Sequence, residues 1–317
     1  MTTNIMKQLS AKSSIFGWMD ILISRKRQAG KDATADLYRA TRNWLWKYSN
    51  GRDIPVRQVS PPVVDSFVCY LRGLNSLRAN TINSYLSGFR AMYNQIICEI
   101  GYRPRFLPFG HVVIRLEKTV KRAVRLDVLE NVTKLDLLHE PDLKLAADLC
   151  AFSFMACGIP FVDLAHLTHE NIEGNMLIYH RTKTRTLIRM ELTQGMRFLL
   201  DKYASNGSPY LFPILSEKKV GYERYKALLR KYNNNLKELG RRLGITVPLT
   251  SYVIRHTWAT EAHRHLIPIA LISQALGHTS EKTTHYYVAQ LDQSELSKAN
   301  AIITKTIDQL ILRREYP

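Results

Sequence analysis

The first hundred residues repeat one pattern, apolar side chains three and four apart, in four successive segments. Ile15, Phe16, Trp18, Met19, Leu22 and Ile23 make one broad apolar face over residues 13–29. Leu37, Tyr38, Thr41, Trp44, Leu45 and Tyr48 make a second, opened by Lys31 and Asp32 and stopped by Gly51. Pro61-Pro62 starts a third, VVDSFVCYLRGL. A fourth runs from Asn80 to about Ile100 on Ile82, Tyr85, Leu86, Phe89, Met92, Tyr93 and Ile96. The region holds no strand candidate. Residues 1–105 are therefore expected to form a four-helix domain.

A break follows. GYRPRFLPFG (101–110) carries two prolines and two glycines, the composition of a connector. The basic stretch HVVIRLEKTVKRAVRL leads from it into a helix near Asp127. The linker is placed at 106–120 and the second domain at 121–317. That domain mixes elements. Residues 142–157 read as a strongly apolar, buried helix and 163–167 as a short one. MLIYH (176–180) and TLIRMEL (186–192) suggest a small antiparallel hairpin with RTKTR as its turn. Helices then resume over about 194–204, 221–243, 252–265, 268–276 and 281–287, with a last one over about 293–313. No internal repeat is visible. The fold class expected is mostly α with a small β-hairpin, the second domain being α+β.

The formal charge is +18, more than solubility requires, and it points to a polyanion, with nucleic acid ahead of a membrane surface. Residues 1–110 hold 16 Lys+Arg against 6 Asp+Glu, and the remaining 207 residues hold 29 against 21, so both parts have charge for phosphates and the first is denser. Cys69, Cys98, Cys150 and Cys157 form no CxxC pair and are read as buried, reduced thiols of a cytoplasmic protein, without a zinc site. MTTNIMKQLSAKSS lacks the apolar stretch of a signal peptide, and no run approaches the roughly 18 apolar residues of a spanning helix. No P-loop and no carboxylate cluster of metal-binding spacing appears, so neither a nucleotide cofactor nor a metal is expected.

Near the C-terminus Arg255, His278 and Tyr287 follow one another at spacings of 23 and 9. These residue types are what attack on a phosphodiester by a phenol needs. An arginine neutralises phosphate oxygens, a histidine hydrogen-bonds one of them or handles a proton, and a tyrosine forms the covalent phosphotyrosyl bond. Each has a plainer reading: an internal salt bridge for Arg255, a helix cap for His278, a core or rim position for Tyr287. Tyr286, next door, faces another way. Lys183 sits at the tip of the expected hairpin. A hairpin lysine is normally solvated, but one on a mobile tip can also protonate a leaving 5′ oxygen. Arg181, Arg185 and Arg189 around it suit plain backbone binding.

RHTWAT followed by LGHTSEKTTHYY resembles the C-terminal signature of the tyrosine recombinase (phage integrase) family. NTINSYLSGFRAMYN (80–94) is similar to the last helix of that family's N-terminal, SAM-like core-binding domain, and FSFMACGIPFVDLAHL (152–167) to the opening helices of its catalytic domain. SYVIRHTWAT and GIPFVDLAHL resemble integrases and invertases of Bacteroides-type bacteria. The resemblance covers nearly the whole chain. It implies Tyr287 as nucleophile, Arg255 and His278 as its helpers and Lys183 as the hairpin lysine. It also implies a site-specific DNA recombinase working through a 3′-phosphotyrosyl intermediate, as a tetramer on two double-stranded DNA sites, without cofactor or metal, in the cytoplasm at the bacterial nucleoid. The last helix, with Leu296, Ile302, Ile303, Ile307, Leu310 and Ile311, suits docking on a neighbouring protomer or on its own domain.

Two departures stand out. The family's first catalytic arginine would align at Pro160, or at Cys157 in the Bacteroides-type relatives, and neither position is basic. Losing one such clamp costs roughly 3–4 kcal/mol of transition-state stabilisation unless another arginine, Arg181 or Arg185, replaces it. Tyr252 stands where His or Lys is common, and its hydroxyl can still donate to a phosphate oxygen. The missing arginine leaves open a DNA-binding protein on the same fold with weak or no cleavage. A relaxing enzyme of the type IB topoisomerase kind is a third reading. Arg78, Asn80, Arg90 and Lys121, with Arg181 and Arg185, are the expected DNA contacts.

Overall fold

The computed structural model describes residues 10, 12–114, 117, 122–204, 208–215 and 220–285. The chain divides into two compact units, Met1–Thr119 and Val120–Pro317.

The first unit is built on α1 (Ile15–Gln28), α2 (Asp32–Tyr48), α3 (Pro61–Gly73) and α4 (Ala79–Glu99). The Ser14 hydroxyl caps α1 by accepting from the amides of Phe16 and Gly17. Two prolines open α3, where a missing N–H leaves nothing unsatisfied. The apolar stripes meet in one core that includes Ile15, Met19, Leu45, Phe67, Leu71, Phe89 and Tyr93. Gly88 lets α2 and α4 cross closely, since a Cβ there would come within 2.9 Å of Thr41 Oγ1. The segment expected as a linker begins inside this core. Phe109 is buried with its ring 5.1 Å from that of Phe89, and Val112 and Ile114 pack beside it. A stretch that composition marks as a connector thus contributes Phe109 to the core of the first unit.

In the second unit α5 (Leu126–Lys134) and α6 (Pro141–Met155) precede the short α7 (Phe161–Ala165). Most of α6 is buried, Leu143, Ala146, Ala147, Leu149, Cys150 and Phe152 among its core residues, which is why it reads as apolar all round. An antiparallel sheet in the order β1-β2-β3 follows, with β1 at Ile172–Glu173, β2 at Met176–His180 and β3 at Leu187–Glu191. Tyr179 pairs with Ile188 across β2 and β3. The hairpin thus matches its expected position, while β1, two residues long, is too short to carry a periodic signal. Then come α8 (Gln194–Tyr203), α9 (Tyr222–Arg242), α10 (Ser251–Arg264), α11 (Ile269–Leu276) and α12 (Glu281–His285).

Lys121, Tyr286, Tyr287 and the helix expected over 293–313 lie outside the described residues. The cysteine expectation needs correction: Cys150 is buried, Cys157 is half-buried, and Cys69 and Cys98 are exposed. The last two sit on the outward sides of α3 and α4, where one polar-facing position can hold a cysteine without disturbing the apolar stripe. Among the described residues no helix is long and apolar enough to cross a membrane, and no group of three or more His, Cys, Asp and Glu could hold a metal ion.

Candidate active site

Arg255 enters from α10, between the core residues Val253 and Ile254 and Thr257, and is only 4% exposed. It faces a tight turn after α6, in which Cys157 and Gly158 take left-handed conformations in succession (φ 55° and 69°). A Cβ on Gly158 would lie 2.8 Å from Arg255 Cα, so the turn can press against α10 only with glycine there. The Gly158 carbonyl accepts from Arg255 Nη1 at 2.9 Å, and Nη2 donates to the Leu276 carbonyl. The thiol of Cys157 is pushed up to about 11 by burial, against the opposing field of Arg255, so it stays protonated.

His278 follows Gly277, whose left-handed φ of 64° ends α11. Its Nε2 lies 3.2 Å from Arg255 Nη2 and its Nδ1 lies 2.9 Å from the hydroxyl of the buried Thr284. A guanidinium can only donate, so Nε2 is the acceptor and Nδ1 carries the proton. Burial, then the charges of Arg255, Arg181 and Lys183, lower the imidazole to about 4. His278 is therefore neutral at physiological pH, with a fixed tautomer and Nε2 turned toward the arginine.

Arg181, expected as a surface contact for the DNA backbone, is buried in this same site. Its Nε donates to Asp163 Oδ2 at 3.1 Å and its Nη1 to the Leu276 carbonyl at 2.6 Å, the carbonyl that also receives Arg255. Asp163 sits on α7, which begins directly after Pro160, and it is buried too. The position aligned with the missing arginine thus starts the helix whose aspartate holds an arginine from the sheet. Arg185, the other candidate replacement, stays exposed in a left-handed turn position (φ 61°). Nearby Tyr179 is pushed up by burial and then by Asp163, so this inner phenol stays protonated.

Lys183 is exposed at the hairpin tip, but the tip is anchored rather than mobile. The Thr182 amide donates to Asp163 Oδ1 at 2.8 Å, and the Thr184 hydroxyl donates to the Gly277 carbonyl at 3.0 Å. Tyr252 is 56% exposed one turn before His256, its ring 4.4 Å from that imidazole and edge-on to it. In the first unit Arg78 is exposed just before α4 and Arg90 is half-buried on it. Asn80 is committed elsewhere: its amide donates to the Glu117 carbonyl and accepts from the Glu117 N–H, both at 2.9 Å.

The second unit thus brings Arg255, His278, Arg181 and the Lys183 loop together, with Arg185 exposed on the same turn, while Arg78 and Arg90 belong to the first unit. Asp163, Thr184 and Thr284 escaped the sequence reading. Asp163 carried the one usable signal, a carboxylate inside the apolar run GIPFVDLAHL, which stays buried only if partnered.

Comparison with known proteins identifies the family of the two units. A model of the phage integrase family matches residues 130–294, and a model of the phage integrase SAM-like domain matches residues 14–99. The tyrosine recombinase XerA of Saccharolobus solfataricus is 31% identical over 117 residues, 37% of this chain and 36% of that protein, so the matched part is about a third of the relative. Among solved structures, the XerH site-specific recombinase in a post-cleavage complex with palindromic difH substrate aligns with a TM-score of 0.66 at 14% identity, over 90% of this chain and 83% of that one. A lambda integrase tetramer bound to a Holliday junction aligns with a TM-score of 0.62 at 14% identity, over 91% and 80%. At such identities the structural likeness concerns the fold.

Proposed function

Since the chain belongs to the phage integrase family, we propose that it is a site-specific DNA recombinase that cuts and rejoins double-stranded DNA through a 3′-phosphotyrosyl intermediate. The observation that carries this reading is the meeting of two buried guanidinium groups, Arg255 and Arg181, at the Leu276 carbonyl beside a neutral histidine. Asp163 offsets one of the two charges and leaves the pair net positive, a field that favours an anion seated beside them. A phosphodiester, with two non-bridging oxygens, suits two guanidinium groups.

In this mechanism the Tyr287 oxygen bonds to the scissile phosphorus and the bond to the 5′ oxygen breaks. The phenol proton passes to His278 Nε2, the acceptor nitrogen in the tautomer that Arg255 sets. Lys183 gives a proton to the leaving 5′ oxygen. Arg255 and Arg181 stabilise the charge that builds on the phosphorane, Arg181 standing in for the arginine absent at Pro160 and Cys157. The 5′ hydroxyl of a partner strand reverses the steps, so the phosphotyrosine conserves the bond. The exposed Arg78 and Arg185 and the half-buried Arg90, together with Lys121, contribute phosphate contacts to binding. Exchange of strands between two sites calls for a tetramer, and the reaction places the protein with the DNA inside the cell.

A test uses a nicked duplex carrying the sequence that the protein selects from a pool of random DNA. Strand cleavage next to the nick releases a short fragment and traps covalent protein–DNA. Wild type and Tyr286→Phe are expected to give the trapped species and Tyr287→Phe none. Tight binding without trapping by any of the three sinks the recombinase reading and leaves a DNA-binding protein.

A further inference from the structure

We propose that Thr184 is a positioning residue of the cleavage reaction, fixing the reach of Lys183 relative to His278. The inference rests on the reading of Lys183 as the acid for the leaving 5′ oxygen.

A six-residue tip between two short strands is ordinarily shaped by its turn alone, and its lysine then samples many positions. Here the turn closes locally, the Arg185 amide donating to the Arg181 carbonyl at 2.8 Å. The residues flanking Lys183 are then tied to the rest of the site on both sides. Thr182 is held through its amide by Asp163. Thr184 is held through its hydroxyl by the Gly277 carbonyl, and it accepts in turn from the Thr186 hydroxyl at 3.0 Å. The second tie has particular consequences. Thr184 follows Lys183 and Gly277 precedes His278, so one hydrogen bond joins the backbone beside the acid to the backbone beside the imidazole. The two groups come from unrelated elements, a sheet and the end of α11, and handle the two protons of one step. The Thr186 hydroxyl orients that of Thr184, which leaves its proton for Gly277. A valine would keep the volume of Thr184 and lose the bond; a serine would keep the bond.

The test compares two versions of the nicked duplex described above, one with an ordinary scissile phosphodiester and one with sulfur replacing the bridging 5′ oxygen. A thiolate leaves without a proton, so the sulfur substrate bypasses the acid. Thr184→Val is expected to cleave the oxygen substrate about 10- to 100-fold more slowly, the scale of a displaced catalytic group. On the sulfur substrate it should come within about threefold of wild type, a rescue that follows from bypassing the acid. Thr184→Ser should resemble wild type on both. Lys183→Ala should be slower still on oxygen and also recover on sulfur. If Lys183→Ala recovers but Thr184→Val is either unimpaired on oxygen or equally slow on both, the positioning role is overturned. If Lys183→Ala does not recover, the acid reading itself fails and the Thr184 inference falls with it. DNA binding by each variant, measured on the uncut duplex, separates these outcomes from misfolding.

Discussion

Arg181 occupies the space that a side chain on Gly277 would need: a Cβ there would lie 2.6 Å from Arg181 Cδ and 2.9 Å from its Cγ. The glycine of LGH therefore does two things. It takes the left-handed turn that ends α11, and it opens a slot for an arginine arriving from the sheet.

Gly277→Ala tests the second role against the first. Alanine at a φ of 64° costs about 1–2 kcal/mol in backbone strain alone. Gly244 has nearly the same backbone (φ 67°) and open space around it, so Gly244→Ala carries the strain without a collision. In urea unfolding, Gly277→Ala is expected to lose more stability than Gly244→Ala. It should also cleave the nicked duplex at least tenfold more slowly, as a displaced phosphate clamp implies. Equal losses in the two variants would mean that Arg181 yields at no cost.

Arg181 and Arg185 separate by function. Removing Arg181 alone strands Asp163 as a buried unpaired charge, which typically costs about 3–5 kcal/mol and confuses the readout. The double variant Arg181→Gln with Asp163→Asn avoids this. It is expected to keep the fold, by circular dichroism, while trapped covalent complex forms about 100- to 1000-fold more slowly. Arg185→Ala should instead weaken binding and reduce the slope of log K against log salt by about one. A double variant that cleaves at the wild-type rate removes Arg181 from the phosphate clamp.

His278 gives a pH prediction with a definite sign. Its folded pKa of about 4 lies below the ordinary histidine value of about 6.5. Between these values the unfolded chain binds the extra proton, so the neutral imidazole's contribution is complete above about pH 6.5 and is lost as pH falls toward 4. In the DNA-free protein, NMR should find His278 neutral at pH 6, with the proton on Nδ1. A midpoint above 6, or the opposite tautomer, contradicts the site geometry.

What the sequence made legible divides along physical lines. The longer helices of both units carry periodic signals of ten or more residues and the hairpin strands a five-residue one, and those elements fall close to where the pattern puts them. Arg255 and His278 were legible because an arginine in an apolar helix and an LGH turn are locally odd. Arg181 was not. In RTKTR it is one of several basic residues on a hairpin turn, and nothing local distinguishes the one that folds inward from Arg185 or Arg189. The difference is made by Asp163 and Leu276, distant in sequence, together with the slot at Gly277. The Asn80 pairing was hidden for the same reason: a polar residue at a helix start reads as a phosphate contact, and only the fold brings Glu117 to both ends of its amide.

That pairing gives the last prediction. A side-chain amide that meets both the N–H and the C=O of one residue acts like a strand partner, here fixing Glu117 against the start of α4. Two exposed hydrogen bonds of this kind contribute about 1 kcal/mol between them. Asn80→Ala is expected to lower stability by about that amount and to speed proteolysis between residues 110 and 125, with the salt dependence of DNA binding unchanged. Arg78→Ala, two residues earlier and exposed, should do the opposite: unchanged proteolysis, and a salt slope smaller by about one. If Asn80→Ala shifts DNA affinity as much as Arg78→Ala while the proteolysis rate stays at the wild-type value, the amide serves the DNA and not the segment that leads out of the first unit.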